Sequence, residues 1–465
     1  MKATPEAAAD TDASYNEQLL SISVIIPVYN ASSFLRACLE RLARSTELPY
    51  ECLVVDDGST DDSVEVARRF GVSVLSTGGR RGPAYARNLG AKAATGTILF
   101  FIDADVCVHT DTLARVLWNF RIDPQLDALI GSYDDSPESP DFLSQYRNLM
   151  HCFVHQHSRS EAATFWSGCG AIRKQVFLEF SGFDESYKRP AIEDIELGFR
   201  LVQADKKIVL DHTLLVNHLK RWTFWNLVKT DILDRGVPWT ELILRDRHMP
   251  RDLNLQLSQR VSVAIAFLLF LVATVGAIWY GGYFLTPLFA LLFLSLGAYW
   301  IDGRAHPGDS AVKILMAVIL AVIVVVGHRT GLLKLVAPPL SLGILLLFLR
   351  HRYSYATERR RRVTGILCGI YVMMTALFIF TLLPHHILIF CFLFLVLAIA
   401  VLNLQFYVFL AQRLGRLYAL AALPFHVLYH FYNGISFVAG LFRYTAQAFL
   451  SRRRASASKA LRKMV

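Results

Sequence analysis

The sequence predicts a Rossmann-like α/β domain with a mostly parallel sheet, followed by an all-α transmembrane domain. Three observations carry this. Short apolar runs alternate with helical spacings over residues 19–219, joined by brief connections. Beyond Arg260 come apolar runs with few charges, each long enough to cross a bilayer. The 465-residue chain is 54% hydrophobic, and its mean hydropathy of +0.38 is too high for an ordinary soluble enzyme.

The elements follow in order. Residues 1–18 are rich in Ala, Asp and Glu, lack the apolar core of a signal peptide and are expected to be disordered. Residues 21–28 read as a first strand, turned at Tyr29-Asn30 into a helix over 31–44. A strand over 50–55 ends in Asp56-Asp57-Gly58-Ser59-Thr60-Asp61, where Ser59, Thr60 or Asp61 can cap a helix over 62–70. A strand over 72–76 and the basic loop Gly78-Gly79-Arg80-Arg81-Gly82-Pro83 precede a helix over 84–94. Residues 97–106, TILFFIDADV, read as a buried central strand that ends in Asp103 and Asp105. A helix over 112–120, a strand over 126–131, a Pro- and Asp-rich loop and a helix over 142–157 come next. Then follow the tight Gly-rich segment FWSGCG at 165–170, a helix from Arg173 and the turn GFDE at 182–185. A helix over 191–203, opening on Glu193-Asp194, and a short strand over 206–210 complete the domain.

Over residues 220–259 Trp222, Trp225 and Trp239 alternate with Lys and Arg, which suits helices lying in a membrane interface; the alternative is an amphipathic helix packed on the domain. Candidate spans in the 260–411 region are 261–280, 283–301, 311–327, 332–348, 363–383 and 387–410. Six spans put the basic clusters at 350–362 and 412–416 on the same side as the α/β domain, the cytoplasm by the positive-inside rule. Within 412–465, the stretch 417–442, interrupted by Pro424, Gly434 and Gly440, is expected to be interfacial or re-entrant, ahead of a basic tail. The net charge of +10 is concentrated beside apolar runs, which suits anionic membrane lipids and argues against nucleic acid. Seven scattered cysteines without a Cys-x-x-Cys suit a reducing compartment and give no zinc site.

In an open α/β sheet, ligands bind beyond the carboxyl ends of the strands. Asp103 and Asp105 are delivered there. Two carboxylates one residue apart suit a hard divalent cation, Mg²⁺ or Mn²⁺, that also holds a nucleotide diphosphate. Two solvated loop acids would be the plain alternative, and the flanking motifs decide against it. In order these are PVYN at 27–30, DDGSTD at 56–61, a basic loop leading to ARN at 86–88, DAD at 103–105, SGCG at 167–170, GFDE at 182–185 and ED at 193–194. The set resembles glycosyltransferase family 2, the inverting, nucleotide-sugar-dependent transferases of GT-A fold, over about residues 21–220. The apolar half resembles that of the membrane-integrated members.

The resemblance implies roles residue by residue. Pro27, Tyr29 and Asn30 would line the nucleotide site. Asp56 and Asp57 would meet base and ribose, unless an Asx-turn occupies one of them. Arg80 or Arg81 would face the nucleotide or diphosphate, and Arg87 and Asn88 would line the site or brace its loop. Asp103 and Ala104 would border the donor. Asp103 and Asp105 would bind the metal, with His218 as a further candidate. Asp194 would be the general base, paired with Glu193; acids favoured by a helix N-terminus are the alternative. Trp166 and Gly168 fall on the acceptor side with Arg235 and Trp239. Arg235-Gly236-Val237-Pro238-Trp239 lies where processive synthases carry Gln-x-x-Arg-Trp, but Arg replaces Gln and Pro precedes Trp. Processive synthesis is therefore not expected. The expected activity is metal-dependent transfer of a sugar from a nucleotide-sugar donor, a UDP-sugar by family precedent, to a lipid or glycan acceptor at the membrane. The alternatives are loading of a polyprenyl phosphate, processive synthesis, or a scaffold with an inactive domain.

Overall fold

The computed structural model describes residues 20–246, 256–280, 310–329 and 386–461. One eight-stranded sheet has the order β3-β2-β1-β4-β7-β6-β8-β5. Its strands are β1 Ile22–Val28, β2 Glu51–Asp56, β3 Ser73–Ser76, β4 Ile98–Ile102, β5 Val106–Val108, β6 Ala128–Tyr133, β7 Cys169–Arg173 and β8 Ile208–His218. The helices of this domain are α1 Ser32–Leu42, α2 Ser63–Arg69, α3 Pro83–Ala93, α4 Thr112–Ile122, α5 Phe142–Gln156, α6 Lys174–Glu179 and α7 Glu193–Gln203.

The sheet is mixed rather than mostly parallel. β1 runs parallel to β2 and β4, and β2 to β3, as crossover helices dictate. β7 runs antiparallel to both β4 and β6, and β5 antiparallel to β8. The tight Gly-rich segment expected at 165–170 runs into a strand: Cys169 and Gly170 lie inside β7, opposite Ile102 and Phe101. A side chain at 170 would strike the Phe165 ring and the Trp166 backbone, so glycine there serves packing. β8 also runs past its expected end at 210. Its polar stretch Asp211-His212-Thr213 falls at a register shift between the pairs Ile130–Leu210 and Ser132–Leu215. That extension carries His218 to the site.

Strand alternation builds two core layers, one on each sheet face. Val24, Ile26, Phe100 and Ile102 pack toward α1 and α4 on one face. Ile25, Leu99 and Phe101 meet Phe165, Phe177 and Phe183 on the other. Each such large side chain contributes about 1.5–3 kcal/mol on burial.

Beyond β8 the chain forms α8 Phe224–Lys229, a π-helix Thr230–Gly236 and α9 Val237–Asp246 in immediate succession. Their apolar residues Leu227, Val237 and Leu242 are buried, while Trp225 and Leu233 are exposed. After α10 Leu257–Tyr280, α11 Ser310–Arg329, α12 His386–Leu402 and α13 Leu404–Leu414 comes α14, Arg416–Leu461. The expected interruption at Pro424, Gly434 and Gly440 does not occur: α14 is one helix of 46 residues. Its face Tyr418, Ala421, Ala422, Tyr429, Tyr432 is buried against α5 and α13, and this packing overrides the breakers.

A polar clamp ties the three parts. Arg147 of α5 donates to Asp231 of the π-helix at 2.7 Å, and the Tyr432 hydroxyl of α14 donates to the other oxygen at 2.7 Å. Gly236 lies so close to Ser436 that a Cβ would collide with it. Asp231→Asn strands the buried Arg147 charge and is expected to cost about 3 kcal/mol, read as a lowered denaturation midpoint.

Among the described residues, the stretch Leu257–Trp279 is long and apolar enough to cross a membrane. The expected straight span 387–410 is instead a pair of helices, Phe390–Leu402 and Leu404–Leu414, bent by 73°. The break falls at buried Asn403, whose amide donates to Ser262 Oγ and Ile399 O and accepts from Gln259, at 2.9–3.0 Å. The candidate spans 283–301, 332–348 and 363–383 lie outside the described residues.

Candidate active site

β1, β2 and β4 end side by side, and their C-terminal edge gathers three of the motifs. Asn30 adopts a left-handed φ of 48°. Its side-chain oxygen accepts from Thr60 N at 2.7 Å, and its own N–H donates to Ser59 Oγ at 3.0 Å. The two strand ends are thereby stitched together. Asp56 spends one oxygen on Ser59 N, three residues on, at 3.0 Å. Asp57 is fully engaged: it accepts from Arg81 N at 2.7 Å, Gly82 N at 2.9 Å and the Thr77 hydroxyl at 3.0 Å. Asp57 therefore braces the basic loop, and Asp56 keeps an oxygen for a ligand. Arg80 lies 4.3 Å over the half-exposed Tyr29 ring, next to Pro27. Arg81 instead stacks on Tyr85 at 4.1 Å, so Arg80 is the cation beside Tyr29 at the end of β1.

The acids lie at the next strand end. Asp103 and Asp105 flank buried Ala104. Arg87, itself buried, donates to Asp103 at 2.6 Å and to Glu193 at 2.8 Å. One guanidinium thus joins the strand end to the start of α7. Burial pushes the Asp103 and Glu193 carboxyls up against the pull of Arg87, because one cation faces two acids with Asp105 and Asp194 nearby. Glu193 also accepts from Ala191 N at 2.9 Å and is only 3% exposed, which is the environment of a brace. Asn88 clamps the GFDE turn, accepting from Phe183 N at 2.9 Å and donating to Phe183 O at 2.8 Å. Arg87→Lys keeps the charge but loses the fork that reaches both acids. It is expected to cost about 2 kcal/mol in chemical denaturation.

Asp194 remains reachable at the second position of α7. One of its oxygens accepts from both the N–H and the hydroxyl of Ser167, at 3.0 and 3.1 Å. Gly168 permits this turn, since a Cβ there would come within 2.7 Å of the Trp166 ring. Trp166 packs edge-on against Tyr133 at 4.8 Å, and Tyr133 stacks flat on His218 at 4.3 Å.

His218 bonds Asn148 Oδ1 through Nδ1 at 2.7 Å and turns Nε2 to Asp105, 3.6 Å away. Asn148 Oδ1 only accepts, so Nδ1 carries the hydrogen. Burial raises the Asp105 carboxyl, but His218 and Lys220 outweigh it and hold it at about 2. The acid is ionised at any physiological pH. Among the described residues no three His, Cys, Asp or Glu side chains converge as a metal cage, but Asp105 and His218 face each other with Asp103 two positions before Asp105 at the same strand end. Asp103 is drawn away by Arg87.

Arg235 sits on the π-helix, a distortion often found at functional sites. Its charge reaches Lys220, Tyr133 and His151, which places it on the Asp105 side. Trp239 packs against the cluster of Ile192, Phe199 and Leu242, next to the start of α7. Sequence reasoning missed Ser167, Tyr133 and Asn148 as site residues. Ser167 lies in the quoted SGCG motif; Tyr133 and Asn148 have no local signal.

Residues 23–180 match the family model Glycosyl transferase family 2. Glycosyltransferase GlyG of Streptococcus pneumoniae is 33% identical over 123 residues, covering 25% of this chain and 40% of that protein. Glycosyltransferase AglE of Haloferax volcanii is 39% identical over 101 residues, covering 20% and 33%. The chain thus spans less than half the length of these two relatives. Among solved structures, the mannosyltransferase PcManGT of Pyrobaculum calidifontis, in complex with GDP-Man and Mn²⁺, is 16% identical. That match covers 77% of this chain and 86% of the other at a TM-score of 0.39. Residues 23–180 therefore form a glycosyltransferase family 2 domain.

Proposed function

We propose that this chain is a membrane-associated, metal-dependent inverting glycosyltransferase. It moves a sugar from a nucleotide-sugar donor, a UDP-sugar by preference, to a hydroxyl on a lipid-linked or membrane-associated acceptor. The observation that carries the reading is the pairing of Asp194 and Asp105 at one sheet edge, joined through the Arg87 bridge between Asp103 and Glu193.

The donor set fits a divalent cation. A carboxylate ionised at neutral pH faces His218 Nε2, and the other ring nitrogen is held by Asn148, so a cation that displaces the Nε2 proton finds two oriented ligands. Mg²⁺ or Mn²⁺ held by Asp105, with His218 and the exposed part of Asp103 beside it, would neutralise the leaving diphosphate as a Lewis acid. The protein does the rest. Asn30, Asp56, Tyr29 and Arg80 orient the nucleotide. Asp194 takes the proton of the attacking hydroxyl as the sugar passes through an oxocarbenium-like transition state. Arg87 keeps the two acid-bearing elements in register.

A lipid phosphate is the second reading of the acceptor. Lys220 and Arg235 both act on the Asp105 side, and among the described residues neither has a carboxylate within ion-pair distance. A phosphate would satisfy them, and it needs no base.

The test is nucleotide release by the full chain in purified membranes, across UDP- and GDP-sugars with Mn²⁺ or Mg²⁺, with and without extracted lipid. Release from one donor that rises with lipid supports the reading. No release from any donor, with folded protein, removes it in favour of a binding domain or scaffold.

A further inference from the structure

Ser167 is 3% exposed, and its hydroxyl has one partner among the described residues, the Asp194 carboxylate. Its backbone N–H points to the same oxygen, at 3.0 Å, while the other oxygen accepts Ile195 N at 2.8 Å. The donors come from two independent supports. Ile195 belongs to α7, so its N–H moves with Asp194. Ser167 belongs to the loop two residues before the Cys169–Ile102 pair, which adjoins Asp103 in the sheet. Trp166 anchors that loop against Tyr133 at 4.8 Å, His151 at 4.9 Å and His155 at 5.0 Å.

A carboxylate on the first turn of a helix is free to rotate about its own side-chain bonds. A base must present one lone pair within hydrogen-bond reach of a hydroxyl, in a fixed direction. Held by α7 alone, Asp194 would have an orientation set by the helix and not by the sheet where the donor lies. With Ser167 it is referenced to the strand end that carries Asp103.

We infer that Ser167 is a positioning residue for Asp194, fixing by its paired N–H and O–H the oxygen that receives the acceptor's proton. This rests on the reading of Asp194 as the base.

The experiment measures UDP or GDP release by the full-length chain, with Mn²⁺ and extracted lipid, over a range of donor concentrations. Ser167→Ala should lower kcat about tenfold and leave the donor KM unchanged. Ser167→Thr, which keeps the hydroxyl, should restore kcat. Ser167→Cys, similar in volume but a weak donor, is read in the same way if the alanine variant loses the fold. An unchanged kcat in a folded variant, or no rescue by threonine, beside an inactive Asp194→Asn, overturns the role of Ser167 and leaves the base standing. An active Asp194→Asn overturns both.

Discussion

Asp194→Asn is expected to reduce transfer to a hydroxyl acceptor by about a thousandfold and to leave nucleotide affinity nearly unchanged. The side chain keeps its shape, and its amide oxygen can still accept from Ser167 or Ile195. What goes is the ability to take a proton. The carboxylate lies on α7, whereas the nucleotide edge is built from the ends of β1 and β2, so the donor side should not notice. Single-turnover transfer and nucleotide titration separate the two effects. If the acceptor is instead a lipid phosphate, turnover survives the substitution, because a phosphate oxygen attacks without giving up a proton. Full activity toward a hydroxyl would remove Asp194 from its role.

Asp105→Ala is expected to abolish transfer, a loss of about a thousandfold or more if the cation's charge stabilisation is worth several kcal/mol. Unlike the first variant, it should also weaken nucleotide binding about tenfold in the presence of Mn²⁺. His218 and the partly engaged Asp103 do not replace it: the imidazole is neutral as a ligand, and Asp103 is held by Arg87 at 2.6 Å. Chelation gives the control. EDTA should weaken nucleotide binding in the natural chain and change nothing in the variant. Equal sensitivity of both to EDTA would place the cation elsewhere.

Much of this site was legible because its chemistry sits at strand ends, where a run of apolar residues stops against acids. Asp103 and Asp105 could be placed from the run ILFFI alone. Partnership was not legible. Asp56 and Asp57 are equivalent as letters, yet only the loop geometry gives Asp57 to Arg81 and Gly82. Glu193 and Asp194 are likewise adjacent, and the direction of Arg87 buries one and leaves the other in reach. In the fold, the three parallel strand pairs of the first half followed from alternating strands and helices. β7 did not: Gly170 sits against the Phe165 ring and the Trp166 carbonyl, and the strand residues it pairs with, Phe101 and Ile130, lie far away in sequence. The continuity of α14 through Pro424 was hidden for the same cause: propensity is local, and the aromatic face that decides it is buried against another part of the chain.

That burial sets a schedule for biosynthesis. Tyr418 donates its hydroxyl to the carbonyl of Phe142 at 2.7 Å, across 276 positions of sequence. At ordinary translation rates the ribosome needs roughly 15 to 55 s to cover that distance. Through that interval the face of α5 that carries Phe142, Tyr146 and Arg147 emerges without its cover, while apolar helices are being made. The nascent catalytic domain is finished from behind, late and by a remote segment. A chaperone or the neighbouring apolar helices must shelter that face meanwhile, and a transcript that stops before α14 yields a chain open to aggregation at that face.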